Sequence, residues 1–301
     1  MASPTPPRRR IVGVSTKMYF TFAQTHSYIT SVLEHLSAPT SPPPPRPPRS
    51  PDSQPRIPAS SSSPDDLLSK IDVFILPDHV SLHSTVMRLA HTPIQAGAQD
   101  AHHEDRGAYT GFVSPAVLAE VGCRIVELGH AERRRILGET DADAARKAAA
   151  VVRNGMVPLV CIGEKTRPPR AAQSGEEDTE ADADGAAVVA AVAECTAQVE
   201  AVLSAIPETA EVILAYEPVW AIGAASPAAP GHVAGVVRGI RALPCVRDRG
   251  RGTTTRILYG GSAGPGLFAK LKDGGVDGLF LGRFAHDPAQ FARTVREVAD
   301  A

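Results

Sequence analysis

A lone carboxylate, Glu217, stands where an apolar run ends. The run Val212-Ile213-Leu214-Ala215 reads as a buried parallel strand, and Pro218 stops it, since proline fixes φ and cannot continue a ladder. Glu217 therefore belongs at the C-terminal tip of a strand. Behind it comes a loop, Val219-Trp220-Ala221-Ile222-Gly223, that carries the chain's only tryptophan. A carboxylate in that position can serve as a general base. A glutamate that merely caps or salt-bridges a strand end is the plainer alternative. Two glycine-bearing turns, Tyr259-Gly260-Gly261-Ser262 and Leu281-Gly282-Arg283, would expose backbone N–H groups with no side chain in the way, which suits a phosphate. Lys17, in Gly13-Val14-Ser15-Thr16-Lys17-Met18, and His130, in Glu127-Leu128-Gly129-His130-Ala131-Glu132-Arg133-Arg134, also follow apolar runs. On its own such a lysine is a solvated surface residue, and Glu132 is a favourable partner for a helix dipole.

The elements that must hold these groups alternate along the chain. Short apolar runs at 11–15, 73–76, 94–98, 125–128, 157–162, 212–216, 257–259 and 278–281 read as strands. Helical patterns at 22–36, 79–90, 114–121, 142–154, 186–205, 231–243, 264–271 and 287–299 lie between and after them. Near-continuous apolar strands with helical crossovers imply an α/β fold whose parallel sheet is covered on both faces. Eight units favour a closed (β/α)8 barrel in a single domain, although periodicity alone also admits an open sheet. Two segments break the rhythm. Residues 38–65 are rich in Pro and Ser and read as a disordered insertion, a passive linker in preference to a docking segment. Residues 166–185 are polar and acidic and read as a solvated loop extension. Residues 1–10 read as a disordered N-terminus.

With 301 residues and a formal net charge of -2, the chain offers no electrostatic case for nucleic acid or a membrane as partner. Its four cysteines, Cys123, Cys161, Cys195 and Cys245, match no zinc or redox spacing and fit a reducing compartment. The first ten residues lack the apolar core of a signal peptide, and no apolar run is expected to reach membrane-spanning length. The expectation is a cytoplasmic protein.

Taken in order, one per expected strand end, these motifs resemble the triosephosphate isomerase family, from about residue 11 to the C-terminus outside the two insertions. Residues 215–223 resemble its catalytic-base strand and closing lid, and residues 129–134 its Gly-His-Ser-Glu-Arg-Arg motif. The resemblance implies a (β/α)8 TIM barrel. It implies Glu217 as base, His130 as neutral electrophile, Lys17 as substrate-binding cation and Glu132 as the carboxylate that meets the lysine. The pairing of a glutamate base with a neutral histidine in this family is itself a standard worked case of tuned pKa values. Ser15, Gly223, Ser262, Gly282 and Arg283 fall on substrate- or phosphate-binding positions. The sequence departs from the family at Ser15 (usually Asn), Ala131 (usually Ser), Arg283 (usually Gly) and Ala224-Ala225-Ser226 (usually Thr-Gly-Lys).

The implied reaction interconverts dihydroxyacetone phosphate and glyceraldehyde 3-phosphate through an enediolate, with no metal or organic cofactor. Because the departures gather near one pocket, isomerisation of a related sugar phosphate such as a tetrulose phosphate is the alternative. A non-catalytic phosphate-binding barrel is a third reading, opposed by the joint presence of Lys17, His130 and Glu217. Residues 96–100 followed by 107–111 look like the family's third strand and protruding loop, which implies a homodimer through loop 100–112.

Overall fold

The computed structural model describes residues 9–37, 64–167, 177–224 and 227–301. Its centre is a closed barrel of eight parallel strands in chain order. They are β1 (Arg10–Ser15), β2 (Ile71–Leu76), β3 (Gln95–Ala98), β4 (Ile125–Leu128), β5 (Val157–Ile162), β6 (Val212–Tyr216), β7 (Thr255–Tyr259) and β8 (Gly278–Leu281). Closure comes from β1 pairing with both β2 and β8. The open-sheet alternative is thereby settled in favour of the (β/α)8 barrel.

Strand parity sorts the side chains into two cores, because successive residues of a strand face opposite sides of the sheet. One set fills the lumen: Ile11, Phe74, Leu76, Ile125, Leu159, Cys161, Ile213, Ala215, Leu258 and Phe280. Phe74 and Phe280 stack across it with ring centroids 5.8 Å apart. Gly13 makes this possible, since a β-carbon there would overlap the Phe74 ring. The other set, including Val12, Val14, Val126, Val160 and Leu214, packs outward against the helices. At the N-terminal end of the barrel, Arg256 pairs with Asp72 at 2.6 Å and with Glu211. The opposite, C-terminal rim is left for the loops that carry Lys17, His130 and Glu217.

Several elements differ from the sequence expectation. The helix expected at 186–205 is Glu177–Ala205, so the second half of the expected polar loop is helical. Polarity alone reads that stretch as loop. A short helix, Pro64–Lys70, leads into β2 and takes in the last residues of the expected 38–65 insertion. The rest of that insertion, residues 1–8 of the expected disordered N-terminus and residues 168–176 lie outside the described residues. The expected helix at 264–271 contracts to Phe268–Leu271, followed by a 3₁₀ turn, Lys272–Gly274. A helix absent from the expected set, Ala131–Leu137, directly follows β4 and His130 and has no buried residue. The expectation about apolar runs needs correction too. Gly185–Ala205, 21 residues, is long and apolar enough by length and composition to cross a membrane. In the barrel its Ala191, Cys195, Val199 and Val202 are buried.

Candidate active site

All nine residues singled out in the sequence line one cavity of about 420 Å³ at the C-terminal rim: Ser15, Lys17, His130, Glu132, Glu217, Gly223, Ser262, Gly282 and Arg283. That volume is in the range of sites for small ligands. They come from the ends of five strands, β1, β4, β6, β7 and β8, so the barrel itself sets their spacing.

His130 occupies the N-cap of helix Ala131–Leu137. The backbone N–H of Glu132 donates to its Nδ1 at 3.1 Å. An N–H can only donate, so Nδ1 is an acceptor and the neutral ring carries its proton on Nε2. That Nε2 lies 3.4 Å from Glu217 Oε2 and 3.3 Å from Lys17 Nζ. In this tautomer the ring and the ammonium are both donors, so they converge on the space beside them and do not satisfy each other. Burial, and then the Lys17 charge, lower the imidazole pKa to about 4, against an opposing pull from Glu132.

Lys17 Nζ donates to Glu132 Oε1 at 2.8 Å. Burial works to lower the ammonium's pKa, but the hydrogen bond and charge of Glu132, with Glu217 and Glu127 behind it, carry it above the ordinary value. Glu132 is itself opposed by burial yet held below the usual carboxylate range by Lys17. The Lys17 backbone has φ 48, the only positive φ among the described non-glycine residues. Such a conformation persists only where the surroundings impose it. Gln99 supplies part of that: its Nε2 donates to the Lys17 carbonyl at 3.0 Å and to the Leu76 carbonyl at 3.1 Å.

Glu217 is buried at the tip of β6, facing the lumen. Its N–H donates to the Ile162 carbonyl at 2.8 Å, which ties the tip to β5. Gly260 leaves the room its carboxyl fills, since a β-carbon there would overlap it. Burial pushes this carboxyl up to about 7, with Lys17 pulling it down and Glu132 pushing it up. A base near neutrality at hydrogen-bonding range of a neutral Nε2–H donor is equipped to move a proton and to stabilise the oxygen beside it.

The lid following Glu217 is fixed at both ends. Glu164 Oε1 accepts from Trp220 Nε1 at 2.9 Å and from Tyr216 Oη at 3.2 Å, with His232 Nε2 at 3.1 Å. At the far side Ser262 Oγ donates to the Ala224 carbonyl at 2.8 Å, and the Ala228 N–H donates to Tyr259 Oη at 3.1 Å. Gly223 takes φ 74 and faces the Arg283 guanidinium across the cavity mouth. Ala225 and Ser226, two of the noted departures in the lid, lie outside the described residues.

Sequence reasoning missed Glu127, Gln99 and the anchor formed by Glu164, Tyr216 and His232. Glu127 also lines the cavity, accepting from Ser15 Oγ at 3.1 Å. Strand parity held the signal for it: Ile125 faces the lumen, so Glu127, two residues on, must too.

A model of the triosephosphate isomerase family matches residues 58–298. The chain belongs to the triosephosphate isomerase family. It is 39% identical over 288 residues to an L-erythrulose-1-phosphate isomerase of Pectobacterium atrosepticum, covering 94% of this chain and 93% of that protein. An enzyme of the same name from Rhizobium meliloti is 38% identical, over 77% of this chain and 85% of its own length. A triosephosphate isomerase of Aquifex aeolicus is 32% identical, over 95% of this chain and 98% of its own length.

The tautomer and charge of His130 are directly measurable. Nitrogen-15 NMR of labelled protein should show Nδ1 unprotonated and Nε2 protonated at pH 6, with conversion to imidazolium only near pH 4. The lowered pKa means that the folded state binds fewer protons than the unfolded one between about 4 and the ordinary 6.5. Its stability contribution is therefore present above 6.5 and is lost as pH falls through that window. An imidazolium at pH 6 would contradict the assignment.

Proposed function

We propose that the protein is a sugar-phosphate isomerase that moves a proton between adjacent carbons of a phosphorylated ketose, and that its preferred substrate is a 1-phosphorylated tetrulose of the L-erythrulose type. The observation that carries the isomerase reading is the convergence of Glu217 Oε2 and Lys17 Nζ on His130 Nε2, at 3.4 and 3.3 Å. Glu217 takes the proton from the carbon next to the carbonyl. The C–H electron pair becomes the C=C bond, and the carbonyl oxygen is stabilised by the Nε2–H and the ammonium. The proton of the neighbouring hydroxyl passes, by way of His130 Nε2, to the first carbonyl oxygen, the carbonyl re-forms at the neighbouring carbon, and Glu217 returns its proton to the first carbonyl carbon. Glu132 keeps Lys17 charged and in place.

At the other end of the cavity, Gly261, Ser262, Gly282 and Arg283 form the phosphate end, with Gly223 closing over it. Arg283 adds a side-chain cation where backbone N–H groups alone would suffice. The lid excludes water, which protects a reactive enediolate.

The substrate choice is supported by the relatives named L-erythrulose-1-phosphate isomerase. For such a substrate the carbon beside the carbonyl bears a secondary alcohol. Its oxidation gives a second ketone, so the reaction converts one ketotetrose phosphate into another. The triose reaction is the second reading, favoured by the similarity to the Aquifex enzyme along almost the whole chain. Cytoplasmic residence is part of the proposal, in keeping with the buried free thiols of Cys123, Cys161 and Cys195.

A homodimer is proposed through loop 100–112, where Tyr109 and Phe112 are exposed close in sequence to the buried Asp100 and His102. Met18, beside Lys17, is 93% exposed, as an apolar residue awaiting a partner surface would be. Light scattering of dilute protein should give twice the chain mass. A fully active monomer would overturn this part.

The catalytic reading is tested with Glu217→Gln and Glu217→Asp. Each should lower kcat by about a hundredfold or more, because the base is removed or misplaced. In the wild type, kcat/KM should rise with pH through about 7, as the Glu217 carboxyl ionises. Measured on L-erythrulose 1-phosphate and dihydroxyacetone phosphate, kcat/KM should favour the tetrulose. Near-normal kcat in both variants would refute the base, and a preference for the triose would refute the substrate.

A further inference from the structure

Glu127 has no part in the proton transfer described above, yet it lines the same cavity. It faces the lumen from β4, three residues before His130. The lumen it faces is apolar, filled by Phe74, Leu76, Cys161 and Phe280 among others. A carboxyl in such a place needs a reason, because burying it costs free energy unless it is neutral or well bonded. Its protein partners are few. Ser15 Oγ donates to Oε2 at 3.1 Å, and Cys161 Sγ stands 3.9 Å from Oε1. Burial, reinforced by the Glu217 charge, pushes the carboxyl up to about 8, so near neutral pH it is mostly a protonated acid. A protonated acid keeps one O–H donor, and the remaining exposure of Glu127 is toward the cavity.

Barrel topology decides what lies next to it. In a closed ring of eight strands in chain order, β4 stands diametrically opposite β8. The phosphate end is built on the loops after β7 and β8. A ligand anchored there, with its reacting carbons beside Glu217, His130 and Lys17, directs its other terminus toward β4, where Ser15 Oγ also reaches Glu127. A triose phosphate ends at its reacting carbon. A tetrulose 1-phosphate continues by one hydroxymethyl group, which is both a hydrogen-bond donor and an acceptor.

We propose that Glu127, steadied by Ser15, is the subsite for the terminal hydroxymethyl group of a four-carbon ketose phosphate, and so sets substrate length. The proposal rests on the isomerase reading above. It also gives Ser15 a role: its short hydroxyl reaches back to Glu127 and leaves space for the additional carbon. Buried polar groups built to meet a substrate hydroxyl discriminate strongly against an analogue that lacks it.

The test compares wild type with Glu127→Val and Glu127→Gln on L-erythrulose 1-phosphate and dihydroxyacetone phosphate. Replacing a buried acid by an apolar side chain is commonly tolerated by the fold, and the Gln variant keeps the size if the Val variant is not. The ratio of kcat/KM, tetrulose over triose, should fall by about a hundredfold in Glu127→Val and by less in Glu127→Gln. A second arm needs no turnover. The ratio of inhibition constants for erythritol 4-phosphate and glycerol 3-phosphate should shift the same way by about tenfold or more. Loss shared equally by both substrates, or an unchanged ratio in either arm, overturns the subsite. If the wild type itself fails to turn over the tetrulose phosphate, the functional reading falls and the subsite with it. That failure is visible before any substitution is made.

Discussion

One ammonium faces three carboxylates in one cavity, two of them buried. Lys17 is bonded directly to Glu132, and the charges of Glu217 and Glu127 both reach it. Buried charges must be paired or neutralised, and the one ammonium in direct contact bonds only Glu132, to which Arg135 adds its charge. The result is a graded set. Glu132, in contact with the cation, stays ionised. Glu217, at hydrogen-bonding range of His130, is pushed up to about 7, and Glu127, deepest in the lumen, to about 8. The middle member of that series sits near neutrality, as the proton transfer proposed for it requires. The constraint also explains why the Lys17 backbone is held at positive φ by Gln99: the cation has to be where the anions are.

The barrel converts sequence spacing into this arrangement. Inward-facing residues near the C-terminal ends of the strands line one cavity: β1 supplies Ser15, β4 Glu127 and the tip of β6 Glu217, which stands further toward the rim than Glu127. The loops after β1 and β4 bring Lys17 and His130 to the same cavity. The helix that begins at Ala131 fixes the imidazole through the Glu132 N–H, and this bond decides which ring nitrogen carries the proton. Outside the lumen, Glu164 gathers Trp220, Tyr216 and His232 into one buried anchor, which sets the lid's first turn against the rim.

Groups at strand ends were legible in the sequence. Glu217 is announced by an apolar run, a proline and a following aromatic loop, and His130 and Lys17 by motifs whose order matches the strand order. The eight strands were legible for the same reason, and their number favoured closure, although periodicity alone also admitted an open sheet, because pairing of β1 with β8 is a property of the whole sheet. Glu127 was hidden inside a motif read for its histidine; its importance depends on which face of β4 it takes. Gln99 was hidden because its role is to hold a backbone carbonyl distant in sequence. The start of the helix at Glu177 escaped because a polar, acidic stretch without apolar periodicity reads as loop.

The central claim is that the deepest carboxyl of this site is a neutral acid when the enzyme works. Infrared difference spectroscopy of wild type against Glu127→Gln at pH 7 addresses it without substrate. The account predicts a carbonyl-stretch band of a protonated carboxylic acid in the wild type that is absent in the variant, and that gives way to carboxylate bands as pH rises past about 8. A spectrum in which the substitution removes only carboxylate bands at pH 7 would contradict it.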